Sequence, residues 1–370
     1  MPGLCALVTP LPAPQFDVML RRLAPFEWFR TFKDVRPDEG VSLGAVVLDT
    51  SRTTAPATSP DGRFVLLLDG EVYDADIERR RLAAGGAVGL GHSEADLLLA
   101  GWLREGPAFL ARIHGLFSAC VWDRQSRELT VITDRFGLRP TYMARTADAF
   151  VVSSEIKAIL AQPGVDRSWS ESGVAEFFAF GHFFRNDTFF AGIRAVPPAT
   201  CVVFHAADGR LDETRYWKPS VRASATTSPD QLDALDAHLA AAVARRAQSG
   251  ERLGLSLSGG LDARTLLGLV PPGLNLSSVC IGIDGGIDHR GATELARIAG
   301  VPHHPYILDG AFLANFERHL RGMARLTDGH YLDQGIVMPT MPTYRKLGID
   351  YLLRGHGGEL MHMTKAYSFS

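Results

Sequence analysis

Residues 255–267, LSLSGGLDARTLL, join an alternating apolar run to a short glycine-containing turn and then to a helical pattern. Leu253, Leu255 and Leu257 alternate with other residues, as expected for a strand. The tripeptide 258–260, Ser-Gly-Gly, interrupts this run, and a segment that starts at Asp262 has the spacing of a helix. The stretch therefore predicts a strand, a tight loop and a helix.

This local structure is suited to binding phosphate. The two glycines have no Cβ, so backbone N–H groups can converge on an anion at the positive end of the following helix. Asp262 would repel a bare phosphate, but its position becomes favourable once a divalent cation lies between the carboxylate and the phosphate oxygens. The stretch indicates a site for a nucleotide with Mg²⁺. An ordinary glycine-containing turn in an α/β domain would give the same pattern.

Composition limits the classes of function. A chain of 370 residues with 46% hydrophobic content can bury a sizeable core, and its length favours two domains. The net charge of −3, with basic residues spread along the chain, gives no electrostatic reason to expect nucleic acid or an anionic membrane as a partner. We find no apolar run near the roughly 20 residues that a bilayer span needs and no signal peptide, so a cytoplasmic location is expected. The four cysteines lie far apart and predict neither a zinc site nor a disulfide framework.

The loop resembles a known signature. SGGLD is similar to the pyrophosphate loop of ATP pyrophosphatases, and LSGGLD is the form found in asparagine synthetases and their relatives. The resemblance implies ATP and Mg²⁺ as cofactors and a reaction in which a carboxylate is adenylated and diphosphate leaves. Ala263 stands where the family usually has a serine, which removes a hydroxyl that could contact the diphosphate. The nucleotide-binding residues that the resemblance implies are Leu257, Ser258, Gly259, Gly260, Ile281 and Gly355.

The end of the chain extends this resemblance. Residues 350–361, DYLLRGHGGELM, are similar to the family segment VLSGEGADELF. Glu359 is the implied second Mg²⁺ ligand, opposite Asp262, and both acids are implied catalytic residues. His356 replaces the acid between the glycines and is a further catalytic candidate, because this change could alter proton transfer. Residues 325–341, where the family lines its acceptor pocket, match only loosely, so the substrate is the least transferable inference.

The first residues resemble class II glutamine amidotransferases, but four positions depart from that family. Pro2 occupies the position of the nucleophilic cysteine, and Cys5 is expected to be a buried strand residue. Asp69 replaces the asparagine that supports the oxyanion, and Val47 replaces an arginine that binds the glutamine carboxylate. Glu94 is at best a substitute for the aspartate that binds the substrate amine. The sequence therefore predicts that glutaminase activity is lost.

The scaffold of that domain is nevertheless preserved. Residues 113–143, 151–160, 192–204 and 215–219 all resemble segments of the same family. We therefore predict an α/β two-domain fold, with a class II amidotransferase-like αββα sandwich of the Ntn type at residues 1–218. A linker is predicted at 219–230 and a helix at about 229–248. Residues 231–370 are predicted to form a parallel-sheet domain like that of ATP pyrophosphatases (adenine nucleotide α-hydrolases). Because relatives continue beyond it, either the sequence is a fragment or this domain is truncated.

The combined interpretation is an asparagine-synthetase-like ligase that makes an amide with ATP and Mg²⁺ and lacks its own glutaminase. Degenerate amidotransferase domains are also similar to those of β-lactam synthetases and lasso-peptide cyclases, in which the amine belongs to the substrate. A non-catalytic binding or scaffold protein is a further alternative. The expected partners are a small-molecule carboxylate and an amine, or a peptide, with a homodimer as a candidate assembly.

Overall fold

The computed structural model describes residues 3–48, 56–220, 229–247 and 251–355. The chain divides into two compact units, Met1–Val221 and Arg222–Ser370.

The first unit contains antiparallel strands with helices between them. Its strands are β1 (Gly3–Val8), β2 (Phe29–Arg36), β3 (Val41–Leu48), β4 (Ala57–Thr58), β5 (Phe64–Tyr73), β6 (His114–Asp123), β7 (Glu128–Thr133), β8 (Tyr142–Arg145), β9 (Phe150–Ser153), β10 (Ile193–Ala195), β11 (Thr200–His205) and β12 (Leu211–Arg215). Its helices are α1 (Phe16–Leu23), α2 (Ala75–Ala84), α3 (Glu94–Glu105), α4 (Pro107–Arg112), α5 (Ile156–Ile159) and α6 (Glu171–Phe180), with a 3₁₀ turn at Pro37–Glu39.

These strands form two antiparallel sheets in the described part of the unit. One sheet has the order β10-β8-β9-β1-β3-β2 and the other β12-β11-β7-β6-β5-β4. Alternate residues of each strand face opposite sides of its sheet. Leu4 of β1 and Leu67 of β5 therefore lie in the core between the sheets. Cys5 instead faces α1 and α5, and Leu66 faces the helices on the other side. The predicted αββα sandwich is confirmed.

A hairpin with its turn at residues 124–126 lies within the second of these sheets. Its two strands, β6 and β7, pair antiparallel, with Ser118 opposite Thr133. The carboxylate of Asp123 closes the turn by accepting hydrogen bonds from the N–H groups of Gln125 and Ser126, at 2.9 and 3.3 Å. Trp122, on the preceding position, is fully buried between the sheets. A polar turn between two half-buried strands thus has the structure that its pattern predicts.

The second unit has the alternating strand and helix order of a parallel sheet. Its elements are α7 (Pro229–Arg246), β13 (Arg252–Ser256), α8 (Leu261–Leu269), β14 (Asn275–Gly282), α9 (Ile287–Ala299), β15 (His303–Ile307), α10 (Gly310–Ala314), α11 (Phe316–Thr327), a 3₁₀ helix at Leu332–Thr340, α12 (Met341–Leu347) and β16 (Tyr351–Arg354). The described strands have the order β15-β14-β13-β16 and all neighbours are parallel. The predicted parallel sheet is confirmed.

The centre of this sheet is β13. Leu253 and Leu255 of β13 are fully buried, as is usual for a parallel strand covered on both faces. They pack in one core with Val243 of α7 and Ala296 of α9. The strand pairing places Ser256 beside Arg354, so β13 and β16 end together at one edge of the sheet.

The helix predicted at about 229–248 is present as α7 (Pro229–Arg246). Helix α7 begins at Pro229, so Pro229 and Asp230 are helical although the predicted linker extends to residue 230. Proline fits the first turn of a helix because its missing N–H would have no intrahelical partner there. The part of the linker at 221–228 lies outside the described residues. Among the helices that the structure describes, none combines the length and apolar character required to cross a membrane.

Candidate active site

The glycine-containing loop connects β13 to α8. Leu257 is buried, and its N–H donates to the carbonyl oxygen of Val279 at 2.9 Å, which extends the sheet by one residue. The backbone then turns, with the N–H of Gly260 donating to the hydroxyl oxygen of Ser258 at 3.2 Å. Helix α8 starts at Leu261 with Gly260 as its N-cap. The predicted strand, loop and helix are therefore all present, and the N-terminal N–H groups of α8 lie at the loop.

Glycine is required in this region for close packing. A Cβ on Gly291 of α9 would lie 2.7 Å from the Cα of Gly259, so the helix and the loop touch at two glycines. A Cβ on Gly355 would lie 2.7 Å from the Cβ of Asp262 and 3.0 Å from the backbone nitrogen of Ala263. Contacts under 3.0 Å are too short for a real Cβ. Gly355 therefore lets the end of β16 approach the first turn of α8.

A cavity of about 300 Å³ opens at this edge of the sheet. Its described lining consists of Ser256, Ser258, Gly260, Leu261, Asp262, Ala263, Arg354 and Gly355. The cavity lies beyond the carboxyl ends of β13 and β16, which is where open α/β sheets bind ligands. Hydroxyls, a carboxylate, a guanidinium and the start of a helix thus converge on one space.

The structure brings together only some of the predicted site residues. Ser258, Gly260, Asp262 and Gly355 all line the cavity. Leu257 is buried beneath the loop, and Gly259 lies in the loop against α9. Ile281 lies on the neighbouring strand β14, where it is half-buried, paired with Tyr306 of β15, and it does not line the cavity. His356 and Glu359 lie outside the described residues.

Asp262 has the surroundings of a Mg²⁺ ligand for a bound nucleotide. No group of three His, Cys, Asp or Glu side chains that could hold a metal occurs among the residues described here, so the described chain has no closed metal site. Mg²⁺ with a nucleotide is usually held by one or two carboxylates, phosphate oxygens and water. Asp262 supplies such a carboxylate beside the hydroxyls of Ser256 and Ser258. The donor set fits Mg²⁺ that arrives with a polyphosphate.

Arg354 is a lining residue that the sequence interpretation missed. It is the last residue of β16 and directly precedes Gly355. The signal was present in the sequence, because a charged residue ends an apolar strand and is followed by glycine. The sequence does not show that Arg354 lines the site, because only the strand order places this end of β16 beside β13.

His303 of β15 contacts the neighbouring strand β14. The Nδ1 atom of His303 lies 2.9 Å from the hydroxyl oxygen of Ser278 on the neighbouring strand. Burial lowers the pKa of His303. The hydrogen bond joins β15 to β14, which is a structural contact.

The amidotransferase-like unit has an inert cysteine near its start. Cys5 is fully buried in β1, and burial raises the pKa of its thiol far above the ordinary value. A thiolate is the nucleophilic form of cysteine, and a buried, protonated thiol is unreactive. Cys5 is thus a strand residue, as predicted. Pro2 lies outside the described residues.

The other three altered positions have structural environments of their own. Val47 is 4% exposed in β3 and offers no charge to a substrate carboxylate. Glu94 accepts a hydrogen bond from the N–H of Val72 at 2.7 Å, which ties α3 to β5. This contact gives Glu94 a structural role in place of the amine-binding role that its alignment suggested at best.

Asp69 is a buried carboxylate with a weak set of partners. It is 7% exposed in β5, and burial raises its pKa although Arg139 and Ser154 act in the opposite direction. Its Oδ1 atom lies 3.8 Å from Nη1 of Arg139. The hydroxyl of Ser154 donates to Oδ2 at a long 3.4 Å. A carboxylate also lacks the N–H donors of asparagine that would support an oxyanion.

We expect Asp69→Asn to stabilise the first unit at neutral pH. The raised pKa means that the folded state disfavours the carboxylate relative to the unfolded chain, so wild-type stability is lower above this pKa than below it. A neutral amide of similar size avoids that cost. A gain of about 1 kcal/mol would raise the melting temperature by roughly 2–4 °C in a unit of this size.

Thermal unfolding measured at several pH values checks this expectation. The difference between variant and wild type should shrink as the pH falls toward the ordinary carboxyl range, because Asp69 then takes up a proton and becomes neutral as well. Asp148→Asn is the control, since this exposed acid lies in a surface turn. An Asp69→Asn variant that melts below wild type at pH 7 would contradict the expectation.

Comparison with known proteins matches both units to families. Residues 37–217 match the glutamine amidotransferase domain family, and residues 234–364 match the asparagine synthase family. The chain is 28% identical over 225 residues to asparagine synthetase [glutamine-hydrolyzing] 3 of Bacillus subtilis, which covers 60% of this chain and 36% of that protein. It is 22% identical over 279 residues to asparagine synthetase [glutamine-hydrolyzing] 1 of the same organism, covering 71% and 42%.

The chain is also similar to a protein that is named as an amidase. The chain is 26% identical over 240 residues to amidase chry2 of Gibberella zeae, covering 62% of this chain and 35% of that protein. The matched region spans between about a third and two fifths of the length of these three relatives. Two successive domain matches, in the order of the two compact units, show that this chain resembles the asparagine synthetase family over most of its length.

Proposed function

We propose that this protein is an ATP-dependent carbon–nitrogen ligase that activates a carboxylate and transfers it to an amine. The observation that carries the proposal is the cavity at the carboxyl edge of the parallel sheet, where Asp262 lies in the first turn of α8, directly after the Ser258–Gly260 loop. The similarity of residues 234–364 to the asparagine synthase family supports the same reaction class. The family match alone does not specify the acid or the amine.

The proposed reaction has two steps. In the first, a carboxylate oxygen attacks the α-phosphorus of ATP, the bond between the α- and β-phosphoryl groups breaks, and diphosphate leaves. In the second, an amine nitrogen attacks the acyl carbon, AMP leaves with the bridging oxygen, and the nitrogen loses a proton. The first step develops charge on the departing diphosphate. A site for it must therefore present cations or N–H donors to phosphate oxygens.

The described residues supply such groups. The start of α8 presents backbone N–H groups at the cavity, where the helix dipole favours an anion. Asp262 would hold Mg²⁺, which when bound neutralises phosphate charge. Glu359 remains the proposed second acid, and His356 the proposed proton-transfer residue. Ile281, Leu257 and Gly259 remain proposed nucleotide contacts.

We also propose that the amine does not come from glutamine. Val47 is apolar and buried, and Asp69 is a buried acid where an amide donor is needed. The carboxylate of Glu94 is bonded to the backbone of β5. These three environments support the proposal that the carboxylate, oxyanion and amine subsites of a glutaminase are lost. Free ammonia or an amine-bearing substrate is therefore the proposed acceptor.

Exchange of labelled diphosphate into ATP tests the ligase proposal. The protein is incubated with ATP, Mg²⁺, labelled diphosphate and each of a panel of carboxylates that includes aspartate, other amino acids, β-amino acids and peptides. We expect exchange that depends on one class of acid and on Mg²⁺. Absence of exchange with every acid would overturn the proposal.

Glutamate release from glutamine tests the glutaminase proposal separately. We expect no release above the rate without protein, with or without ATP and the activating acid. Ammonium should support amide formation under the same conditions. Release of glutamate at a rate that follows protein concentration would show that the amidotransferase-like unit is active.

A further inference from the structure

The cavity at the end of β13 and β16 has one feature that the proposed reaction has not used. Among its described lining residues, the ionisable side chains are Asp262 and Arg354. Arg354 pairs in register with Ser256, and both residues line the cavity at adjacent strand ends. A guanidinium is thus placed across the cavity from the first turn of α8.

The positive charge of Arg354 would offset negative charge in a cavity that held a nucleotide. The triphosphate of ATP and the carboxylate of Asp262 are both anionic, and Arg354 is the cation of the described lining. Arginine remains protonated at any physiological pH and can bind phosphate oxygens with two parallel N–H groups. Arg264, on α8 itself, directs its Nη2 to the carbonyl oxygen of Gly259 at 3.0 Å and is not part of the lining.

One hydrogen bond orients the exposed side chain of Arg354, and its neighbour Gly355 is closely packed. The Nη2 atom of Arg354 donates to Oε1 of Gln334, at 3.2 Å, from the 3₁₀ helix Leu332–Thr340. A guanidinium has five N–H donors, so this bond orients the group and leaves other donors for a ligand. The next residue, Gly355, packs against Asp262 and fixes the separation of β16 from α8. The side chain is therefore pre-organised, which reduces the entropy cost of binding.

The neighbouring position on α8 explains why such a donor is needed. Ala263 is 5% exposed and lines the same cavity, but its methyl group cannot donate a hydrogen bond to a phosphate. We propose that Arg354 binds the diphosphate group of the nucleotide, before and after it leaves, from the β16 side of the cavity. This inference rests on the proposed function and assigns a leaving-group residue within that site.

Binding of inorganic diphosphate, measured by titration calorimetry in the presence of Mg²⁺, tests the inference directly. We expect Arg354→Gln to weaken diphosphate binding by about 10-fold, equivalent to about 1.4 kcal/mol, because it removes a charge-assisted pair. Binding of AMP should change by less than about 2-fold, since AMP lacks the leaving group. Arg354→Lys keeps the charge but not the bidentate geometry of the guanidinium. We expect its affinity for diphosphate to lie between that of wild type and that of Arg354→Gln.

Two further variants sharpen the test. Arg252→Gln is the matched control, because Arg252 lies on β13 at the opposite end of the strand from the cavity. It should bind diphosphate as wild type does. Adding Ala263→Ser to Arg354→Gln should recover part of the lost affinity, because the new hydroxyl lines the same cavity. Thermal unfolding of each variant shows that it is folded.

The outcomes separate this inference from the proposed function. The inference is supported if wild-type protein binds diphosphate and only the Arg354 variants lose affinity for it. This holds even where no acid gives exchange, because lack of exchange would overturn only the proposed function. Unchanged diphosphate affinity in folded Arg354→Gln and Arg354→Lys overturns the inference, whether or not exchange is observed. Wild-type protein that binds no diphosphate overturns it too.

Discussion

Asp262→Ala is expected to lower the rate of ATP–diphosphate exchange by about 10³-fold while leaving the protein folded. Such a loss corresponds to about 4 kcal/mol of transition-state stabilisation, the scale expected when a metal-ion contact to a phosphoryl group is removed. Asp262 is half-buried in the first turn of α8 and lines the cavity, which is the proposed site of the phosphates. Asp262→Asn keeps the size of the side chain and should show a similar loss.

The stability of this variant should change much less than its activity. An acid in the first turn of a helix interacts favourably with the helix dipole, typically by 0.3–1 kcal/mol. Asp288 occupies the first turn of the neighbouring helix α9, is exposed and does not line the cavity. Asp288→Ala therefore controls for the dipole term. Exchange by Asp262→Ala within about tenfold of that of Asp288→Ala would contradict the assigned role of the carboxylate.

Local sequence patterns were sufficient to predict the elements that build the site. The alternation of Leu253, Leu255 and Leu257 predicts a strand, and two glycines followed by Asp262 predict the loop and the helix start. Each of these features depends on neighbours within a few residues. Alternation in β1 likewise puts Leu4 between the sheets and Cys5 against α1. Such short-range regularities define an element and its buried face.

Contacts between distant segments could not be predicted in this way. Arg354 joins the cavity because β16 lies beside β13, although nearly a hundred residues separate the two strands along the chain. Gly291 matters because α9 crosses the loop at Gly259. The sequence shows a glycine or an arginine at these positions, but a spatial neighbour gives the residue its role. Resemblance to a family supplied part of this information, but only where the family motif had the same residue.

At the amidotransferase-like positions, the sequence shows which residues have changed but not what the new residues contact. The sequence identified Asp69 and Glu94 as departures from the family, which was enough to predict a lost activity. It did not predict what the new residues do. Glu94 bonds the backbone of β5, and Asp69 lies in a buried position beside Arg139 and Ser154. Val72 of β5 bonds Glu94, and Arg139 and Ser154 lie in loops after β7 and β9. The arrangement of these partners depends on the completed fold.

Gly355→Ala is expected to lower exchange by about 10²-fold with one added methyl group. The new Cβ would lie 2.7 Å from the Cβ of Asp262, 2.9 Å from its carbonyl carbon and 3.0 Å from the nitrogen of Ala263. Two of these atoms belong to the backbone of α8 and cannot rotate away. The end of β16 and the start of α8 must therefore separate. A misplacement of about 1 Å in an active site can cost 10²-fold in rate.

Destabilisation should accompany this loss, because forced overpacking typically costs 1–3 kcal/mol. Gly268→Ala is the matched control, since Gly268 lies on the same helix and a Cβ there meets no atom within 4 Å. That variant should be neutral or more stable by up to about 1 kcal/mol, because alanine loses less backbone entropy than glycine in a helix. Exchange rates and thermal unfolding are measured for both variants, with exchange assayed well below the melting temperature. Normal exchange in folded Gly355→Ala would mean that the close contact of β16 with α8 does not position the groups that split ATP, and the proposed placement of Asp262 and Arg354 around one diphosphate would be wrong.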